Sequence, residues 1–281
     1  MMPLHLRMYI AAWLHEQTWI RQERRKWWAA ELVRDGAVKD VNDYHKFIWR
    51  NHLDYAAPYE VESRFGPSNI RASRRRFFGH LLQQIKAMGI KPSQIRSVYE
   101  VGCSLGYQLH YMETDVFPDA DVLEGIDIDA YAVHSGDQYL RAIGSKVRIV
   151  CGDMEQLELM LHDRQFDIMV CAGVLMYLKE PEAAGLVSKM LWNTRQLVAF
   201  AGLAHPHVDN AYLSCSEVRQ KDQTFIHNID GMVQRAGGHV IGRVWEGGRE
   251  VDGQTIYFVF ATRDQDPLRI HNELCPKTGF S

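Results

Sequence analysis

Cysteine is scarce in this chain and never clustered. The five residues, Cys103, Cys151, Cys171, Cys215 and Cys275, include no Cys-x-x-Cys pair. An odd, scattered set argues against a disulfide scaffold and a zinc finger, and fits free thiols in a reducing compartment. Long apolar runs are missing too: none reaches the roughly 18 residues of a membrane span. The opening residues, Met-Met-Pro-Leu-His-Leu-Arg, show no secretory pattern, and Arg21, Arg24, Arg25 and Lys26 lie inside a helix-like segment. The expectation is a cytoplasmic protein with no membrane partner. Internal repeats and low-complexity tracts are also absent, which argues against a solenoid.

Charge is present but unevenly spread. Residues 1–99 hold 17 Lys+Arg against 9 Asp+Glu, or +8, and the rest of the chain carries −11. A basic front on an acidic body raises the question of an anionic partner, although solvated helix faces also vary in charge. Aromatic residues concentrate in the same front. Five of the seven tryptophans, Trp13, Trp19, Trp27, Trp28 and Trp49, precede residue 50. Leu14–Val33 and Asp43–Leu53 have helical periodicity, with Asp35-Gly36 between them. Such helices must bury their aromatic surface, as a lid over a pocket, a dimer surface or a cap on the body of the protein.

Pro67-Ser68-Asn69 predicts a helix start, and Phe77, Phe78, Leu81, Leu82, Ile85 and Met88 form one apolar stripe behind it. Arg71, Arg74, Arg75 and Arg76 occupy its first turns, where one guanidinium is in reach of a carboxylate. Strands and helices then alternate. Strands are expected at 97–101, 121–127, 147–151, 166–171 and 196–201. Helices are expected near 105–116, 130–142, 155–161 and 181–194. A helix near 225–236 and strands near 239–245 and 255–262 follow, with Gly247-Gly248 and Asp252-Gly253 as turn signals between the last two. Alternation of this kind predicts an α/β fold with a mostly parallel sheet covered on both faces.

In such sheets ligands bind beyond the carboxyl ends of the strands. The first strand runs into Glu100-Val-Gly102-Cys103-Ser104-Leu-Gly106, an acidic residue followed by a small-residue loop and a helix. Gly102 supplies the turn, and Gly106 is read as keeping side chains away from a ligand. A nicotinamide dehydrogenase would need a third glycine where Tyr107 stands, and would place pyrophosphate beside Glu100. A carboxylate there suits a cationic ligand instead. The second strand closes on Asp127, whose two oxygens suit a ribose diol, followed by Ile128 and by Asp129, which reads as a helix cap. Gly152-Asp153-Met154 follows the third strand. The fourth reads Phe166-Asp-Ile-Met-Val-Cys-Ala-Gly-Val-Leu-Met-Tyr-Leu178.

This ordered set over roughly residues 70–262 resembles the motifs of the class I S-adenosylmethionine (SAM)-dependent methyltransferases, with Ser104 in place of the middle glycine and Tyr177 where many relatives have His. The resemblance implies SAM as cofactor and a seven-stranded sheet of order 3-2-1-4-5-7-6 with strand seven antiparallel. Ahead of the methyltransferase domain at 70–263, the tryptophan-rich front is read as a helical extension or lid at 1–69, and the stretch without a period at 264–281 as an irregular tail. The implied cofactor residues are Glu100, Gly102, Cys103, Ser104, Gly106, Asp127, Ile128, Asp153, Met154, Cys171 and Ala172. Asp153 would meet the adenine amino group, and Cys171, Ala172 and Gly173 the methionine end.

His205 and Tyr177 are the expected catalytic residues, with Tyr44, His45 and His207 as further candidates for a general base. Asp209-Asn210 resembles one half of a divalent-cation site, but Cys171-Ala172-Gly173 offers no second acid, so no metal is expected. Cys103, Cys151 and Cys171 lack zinc spacing. The expected reaction is methyl transfer to an O or N atom of a small molecule by a possible homodimer. An RNA methyltransferase and a non-catalytic SAM-binding regulator are the alternatives. RNA is disfavoured because no Asn-Pro-Pro-Tyr or Asp-Pro-Pro-Tyr follows strand four and no added RNA-binding module is evident.

Overall fold

The computed structural model describes residues 43–50, 52, 61–66, 70–219, 222–251 and 254–263. The helix read over Leu14–Val33, the turn at Asp35-Gly36, four of the five early tryptophans, the Pro67–Asn69 cap, Asp252-Gly253, Cys275 and the tail from Asp264 lie outside these residues. So does the Tyr44 side chain.

The chain first forms α1 (Tyr44–Arg50), α2 (Val61–Phe65) and α3 (Ala72–Ala87). Strand β1 (Ser97–Val101) and helix α4 (Tyr107–Tyr111) follow, the latter continuing as a wider π-helical turn over Met112–Val116. Next come β2 (Val122–Asp127), α5 (Ala130–Ala142), β3 (Arg148–Cys151), α6 (Leu157–Leu161), β4 (Phe166–Ala172), α7 (Glu180–Trp192) and β5 (Thr194–Gly202). A short hairpin of β6 (Glu217–Arg219) and β7 (Thr224–Ile226) precedes α8 (Ile229–Arg235), β8 (Gly238–Val251) and β9 (Gln254–Arg263).

The main sheet has the order β3-β2-β1-β4-β5-β9-β8. With β8 and β9 counted as its sixth and seventh strands, this is 3-2-1-4-5-7-6. Strands β1 to β5 are mutually parallel, and β9 runs antiparallel to both β5 and β8. The order reverses between β1 and β4, so the carboxyl ends of β1 and β4 border a crevice.

Alternation along each strand sends side chains to two cores. On one face Phe77, Phe78, Leu81 and Ile85 of α3 pack with Leu109, Leu140, Val98, Ile168 and Phe258. Phe77 meets Phe258 edge to face, with centroids 5.2 Å apart. On the other face Leu157 and Leu161 of α6, Leu186 and Met190 of α7 and Met232 of α8 cover Tyr99, Val101, Met169 and Phe200. Asp167, at the start of β4, clamps the sheet. It accepts hydrogen bonds from the N–H groups of Arg96 (2.8 Å) and Ser97 (2.9 Å) and from Arg195 Nε (2.8 Å). Although burial works against it, these donors hold its carboxyl below the usual range.

One expectation fails locally. Gly247-Gly248 is not a turn but lies inside β8, where the register jumps from Trp245↔Tyr257 to Glu250↔Thr255. The glycines absorb a bulge, with Gly247 at φ +60°. The hairpin of β6 and β7 falls in a stretch with no period of its own. Among the described residues no helix is long and apolar enough to cross a membrane.

Candidate functional site

The crevice is a cavity of about 310 Å³ at the carboxyl ends of β1 to β4. Of the residues expected at a cofactor, Gly102, Ser104, Asp127, Ile128, Asp153, Met154 and Ala172 line it. Gly102 has φ +77°, and a Cβ there would overlap the Val174 side chain from the loop after β4. Only glycine fits both demands. Ser104, at φ +51°, donates its backbone N–H to Asp127 Oδ2 (2.7 Å), and Asp129 N–H donates to Oδ1 (2.9 Å). The carboxylate is thereby fixed in orientation, and each oxygen keeps a lone pair for a ligand hydroxyl. Burial pushes Asp127 up to about 6, against these backbone hydrogen bonds.

Glu100 sits beneath the loop, fully buried. Its Oε1 accepts from Gln108 Nε2 (2.9 Å), and its Oε2 has no partner among the described residues. Burial pushes it up to about 8; the positive charge of Arg74 opposes the shift and Asp127 adds to it. A buried carboxylate oxygen without a donor is costly unless something cationic answers it.

Four expected cofactor residues do not line the cavity. Glu100 is the first. Cys103 turns into the core beside Gly125, where a Cβ would lie 2.8 Å from its own. Gly106 is needed for packing, since a Cβ there would lie 3.0 Å from Leu140 and 3.1 Å from Ile149. It therefore lets α5 and β3 close in, and does not serve ligand approach. Cys171 points to the opposite face from Ala172, into the core with Met169, and burial pushes its thiol up to about 12.

The third acid is also differently engaged. Asp153 caps the turn at Met154–Gln156, as its position after a strand allows, but its Oδ2 is held by Lys46 Nζ and Arg50 Nη2, each at 2.8 Å. Although burial opposes it, these cations keep its carboxyl below the usual range. Asp129 caps α5 and pairs with His52.

Helix α1 thus borders the cavity, contributing Lys46 and Trp49, with Asp43 just ahead of it, while α7 contributes Glu182, Gly185, Leu186 and Lys189. The periodicity of these segments marks them as helices but carries no sign that they reach a ligand. Tyr177 does line the cavity, with its ring 5.2 Å from His45 and 5.0 Å from Trp49. His45 itself bonds the Gln223 carbonyl through Nε2 (2.8 Å). His205 lines no described cavity. Its Nδ1 accepts from the N–H groups of His207 and Val208, and its Nε2 lies 3.3 Å from Glu217. These contacts give it the role of holding a turn together. Asp209 caps a neighbouring turn and is paired with Arg243. His227, missed by sequence reasoning, supports the loop after β4 by donating from Nε2 to the Leu175 carbonyl (2.8 Å).

The residues fit SAM. Glu100 has an unanswered buried oxygen suited to an ammonium, Gly102 leaves room only for backbone, Asp127 suits vicinal hydroxyls, and Ile128 and Met154 offer apolar surface for a purine.

Known proteins agree. Residues 98–196 match a family model described as a methyltransferase domain. A magnesium protoporphyrin IX methyltransferase from Synechocystis PCC 6803, solved with S-adenosylhomocysteine (SAH), is similar in fold. It has 15% identity and a TM-score of 0.51, over 79% of this chain and 95% of that one. The N-methyltransferase NodS from Bradyrhizobium japonicum WM9, also with SAH, has 16% identity and a TM-score of 0.50, over 73% of this chain and 97% of that one. No curated protein matches. The strand order and the crevice at its reversal are those of the methyltransferase fold, and residues 98–196 carry the match to a methyltransferase domain.

Proposed function

We propose that this enzyme methylates an O or N nucleophile of a small molecule without a metal. The observation that carries the reading is the bounded cleft shared by the strand ends, α1 and α7. Tyr177 stands where the cleft meets a second cavity. Bound SAM supplies an electrophilic methyl on a sulfonium with a good leaving group. The protein's work is then to bind, align and exclude water. Glu100 and Gly102 hold the amino-acid end, Asp127 orients the ribose, and Ile128 and Met154 flank the purine. Tyr177 contacts the acceptor, and its hydroxyl fixes the nucleophile's direction.

Residues 1–69 act as a lid. Lys46 and Arg50 support this by tying α1 to Asp153 at the rim of the cleft. Metal independence is supported by Asp209, which is engaged by Arg243, and by a β4 loop that offers no acid. A small acceptor is supported by the division of the early arginines. Arg75 bonds the Ile70 carbonyl and Arg76 pairs with Glu246, so the run forms no continuous basic track for a nucleic acid. A small acceptor also agrees with the magnesium protoporphyrin IX methyltransferase named above as similar in fold.

The test is transfer from radiolabelled SAM to fractionated metabolite extracts, with bulk tRNA alongside. Label in small molecules and a large fall in kcat for Tyr177→Phe are expected. Label confined to tRNA overturns the choice of acceptor class.

A further inference from the structure

Beneath the cofactor loop, Glu100 and Gln108 form a buried polar pair, and neither residue lines the cleft. Strand β1 is central, with Glu100 in register between Gly125 of β2 and Val170 of β4. Its neighbours Tyr99 and Val101 pack on the face covered by α6, α7 and α8. Alternation therefore sends Glu100 to the other face, under α3 and α4. Gln108, in the first turn of α4, is turned inward to meet it and is 4% exposed, while Glu100 is 0% exposed. A glutamine and a glutamate so fully withdrawn from water need each other or a ligand.

The bonding between them is incomplete in a particular way. Gln108 Nε2 donates to Glu100 Oε1 at 2.9 Å. Among the described residues, Glu100 Oε2 and Gln108 Oε1 are both buried and without a donor. One acceptor is thus left over on each partner, and a single proton answers both. A protonated carboxyl and a primary amide close a ring of two hydrogen bonds, amide N–H to acid carbonyl and acid O–H to amide oxygen. The first of these bonds is present. The second would join the two oxygens left over. Four described groups of other elements face Glu100: the neutral buried thiols of Cys103 and Cys171, Asp127, which opposes a second negative charge, and Arg74, which favours one. Burial outweighs them and raises Glu100 to about 8.

We infer that Gln108 is a positioning residue for the cofactor: in the free protein its amide shares one proton with Glu100, and the pair opens to a carboxylate when the cofactor's ammonium arrives. The inference rests on Glu100 meeting that ammonium, as proposed above. In the free protein the ring keeps the acid neutral and oriented, with no bare charge in the core. On binding, the O–H bond at Glu100 Oε2 breaks and its proton leaves to solvent. The electron pair stays on the oxygen, which then accepts from the ammonium. Gln108 Nε2 keeps its bond to Oε1 throughout, so the carboxylate does not turn away. A ligand with the purine and ribose but no ammonium has nothing with which to open the pair.

Infrared spectroscopy and calorimetry at neutral pH decide it, with SAH and with methylthioadenosine, which has the purine and ribose but lacks the amino-acid end. The free wild type should show the carbonyl stretch of one protonated carboxyl that Glu100→Gln removes. Gln108→Met should shift that band to higher frequency, because the acid proton loses its acceptor, a change that a packing defect would not make. SAH should erase the band and release a proton to the buffer, and methylthioadenosine should do neither. A band unmoved in Gln108→Met, or no band assignable to Glu100 in the free protein, overturns the inference. Equal proton release by the two ligands also overturns it, because the proton then comes from elsewhere. If Gln108→Met does not fold, the position of the wild-type band decides in its place, low for a bonded acid and high for a free one. Failure of SAH to bind overturns the cofactor assignment instead, and the band of the free protein still decides the pair.

Discussion

The two adjoining cavities differ in sign and in origin. The cofactor cleft is lined by Asp127 and Asp153, each at or just past the end of a parallel strand, and Glu100 is buried at the end of a third. The neighbouring cavity has Arg64, Arg71 and Arg74, drawn from helices that precede the sheet. The sheet thus provides a place for a ligand with an ammonium and a sulfonium, while the helices ahead of it bring basic side chains to its edge. A Rossmann-like sheet fixes the first, and what is attached ahead of it sets the second.

The largest expected effect is on the acidic side. Gly102→Ala places a side chain at positive φ, at about 1–2 kcal/mol, and drives it into Val174. SAH affinity by calorimetry should fall more than about a hundredfold (~2.7 kcal/mol). Unchanged affinity would show that the two loops can separate, and the cleft would lose its fixed edge.

Asp127→Ala comes next. Losing a bidentate acceptor for two hydroxyls should weaken SAH by roughly tenfold to a hundredfold. Asp129→Ala, two residues on, should instead cost stability of about 1 kcal/mol through loss of the α5 cap. If both variants behaved alike, the distinction between ligand acid and structural acid would collapse.

A proton separates Glu100 from its neighbours. Burial lifts it to about 8, so it is mostly protonated at neutral pH in the free protein. An ammonium nearby favours the carboxylate, which lowers that value on binding. SAH binding at pH 7 should therefore release most of one proton, and affinity should rise as the pH is raised toward about 8. Calorimetry in buffers of different ionisation enthalpy measures the release, and Glu100→Gln should abolish it. Below about 6, where Asp127 takes up its own proton, affinity should fall further. The smallest effect belongs to the rim. Lys46→Ala removes exposed ion pairs worth about 0.2–1 kcal/mol, so SAH affinity should change only a few-fold.

The acidic side was legible because strand, acid, loop and helix are neighbours in sequence. Gly102, Ser104, Asp127 and Ile128 could be placed by counting along a strand and past its end. Side-chain direction was harder. Cys171 and Ala172 are adjacent, yet opposite faces of β4 separate them, and only the pairing of β4 between β1 and β5 decides which face meets the cleft. Gly106 was recognised as necessary for the wrong reason, because its neighbours Leu140 and Ile149 lie more than thirty residues away. His205 looked catalytic by position after β5, but Glu217 and two backbone N–H groups claim its ring. The basic cavity was legible only as one unassigned arginine in reach of a carboxylate. The spacing of four arginines over residues 71–76 gave no sign that Arg71 and Arg74 would join Arg64 while Arg75 and Arg76 turned away.

The contact between Gly102 and Val174 bears on how this enzyme can be redesigned. Under the function proposed above, an attempt to widen acceptor choice begins at the loop after β4, where Gly173 and Tyr177 border the cleft. Val174 in that loop fills the space that a side chain at 102 would occupy. Enlarging residue 174 presses on the backbone that carries the cofactor, and shrinking it opens that backbone to movement. Substrate scope and cofactor retention are therefore traded against each other at one residue. A combinatorial library at 173, 176 and 177 should hold Val174 constant.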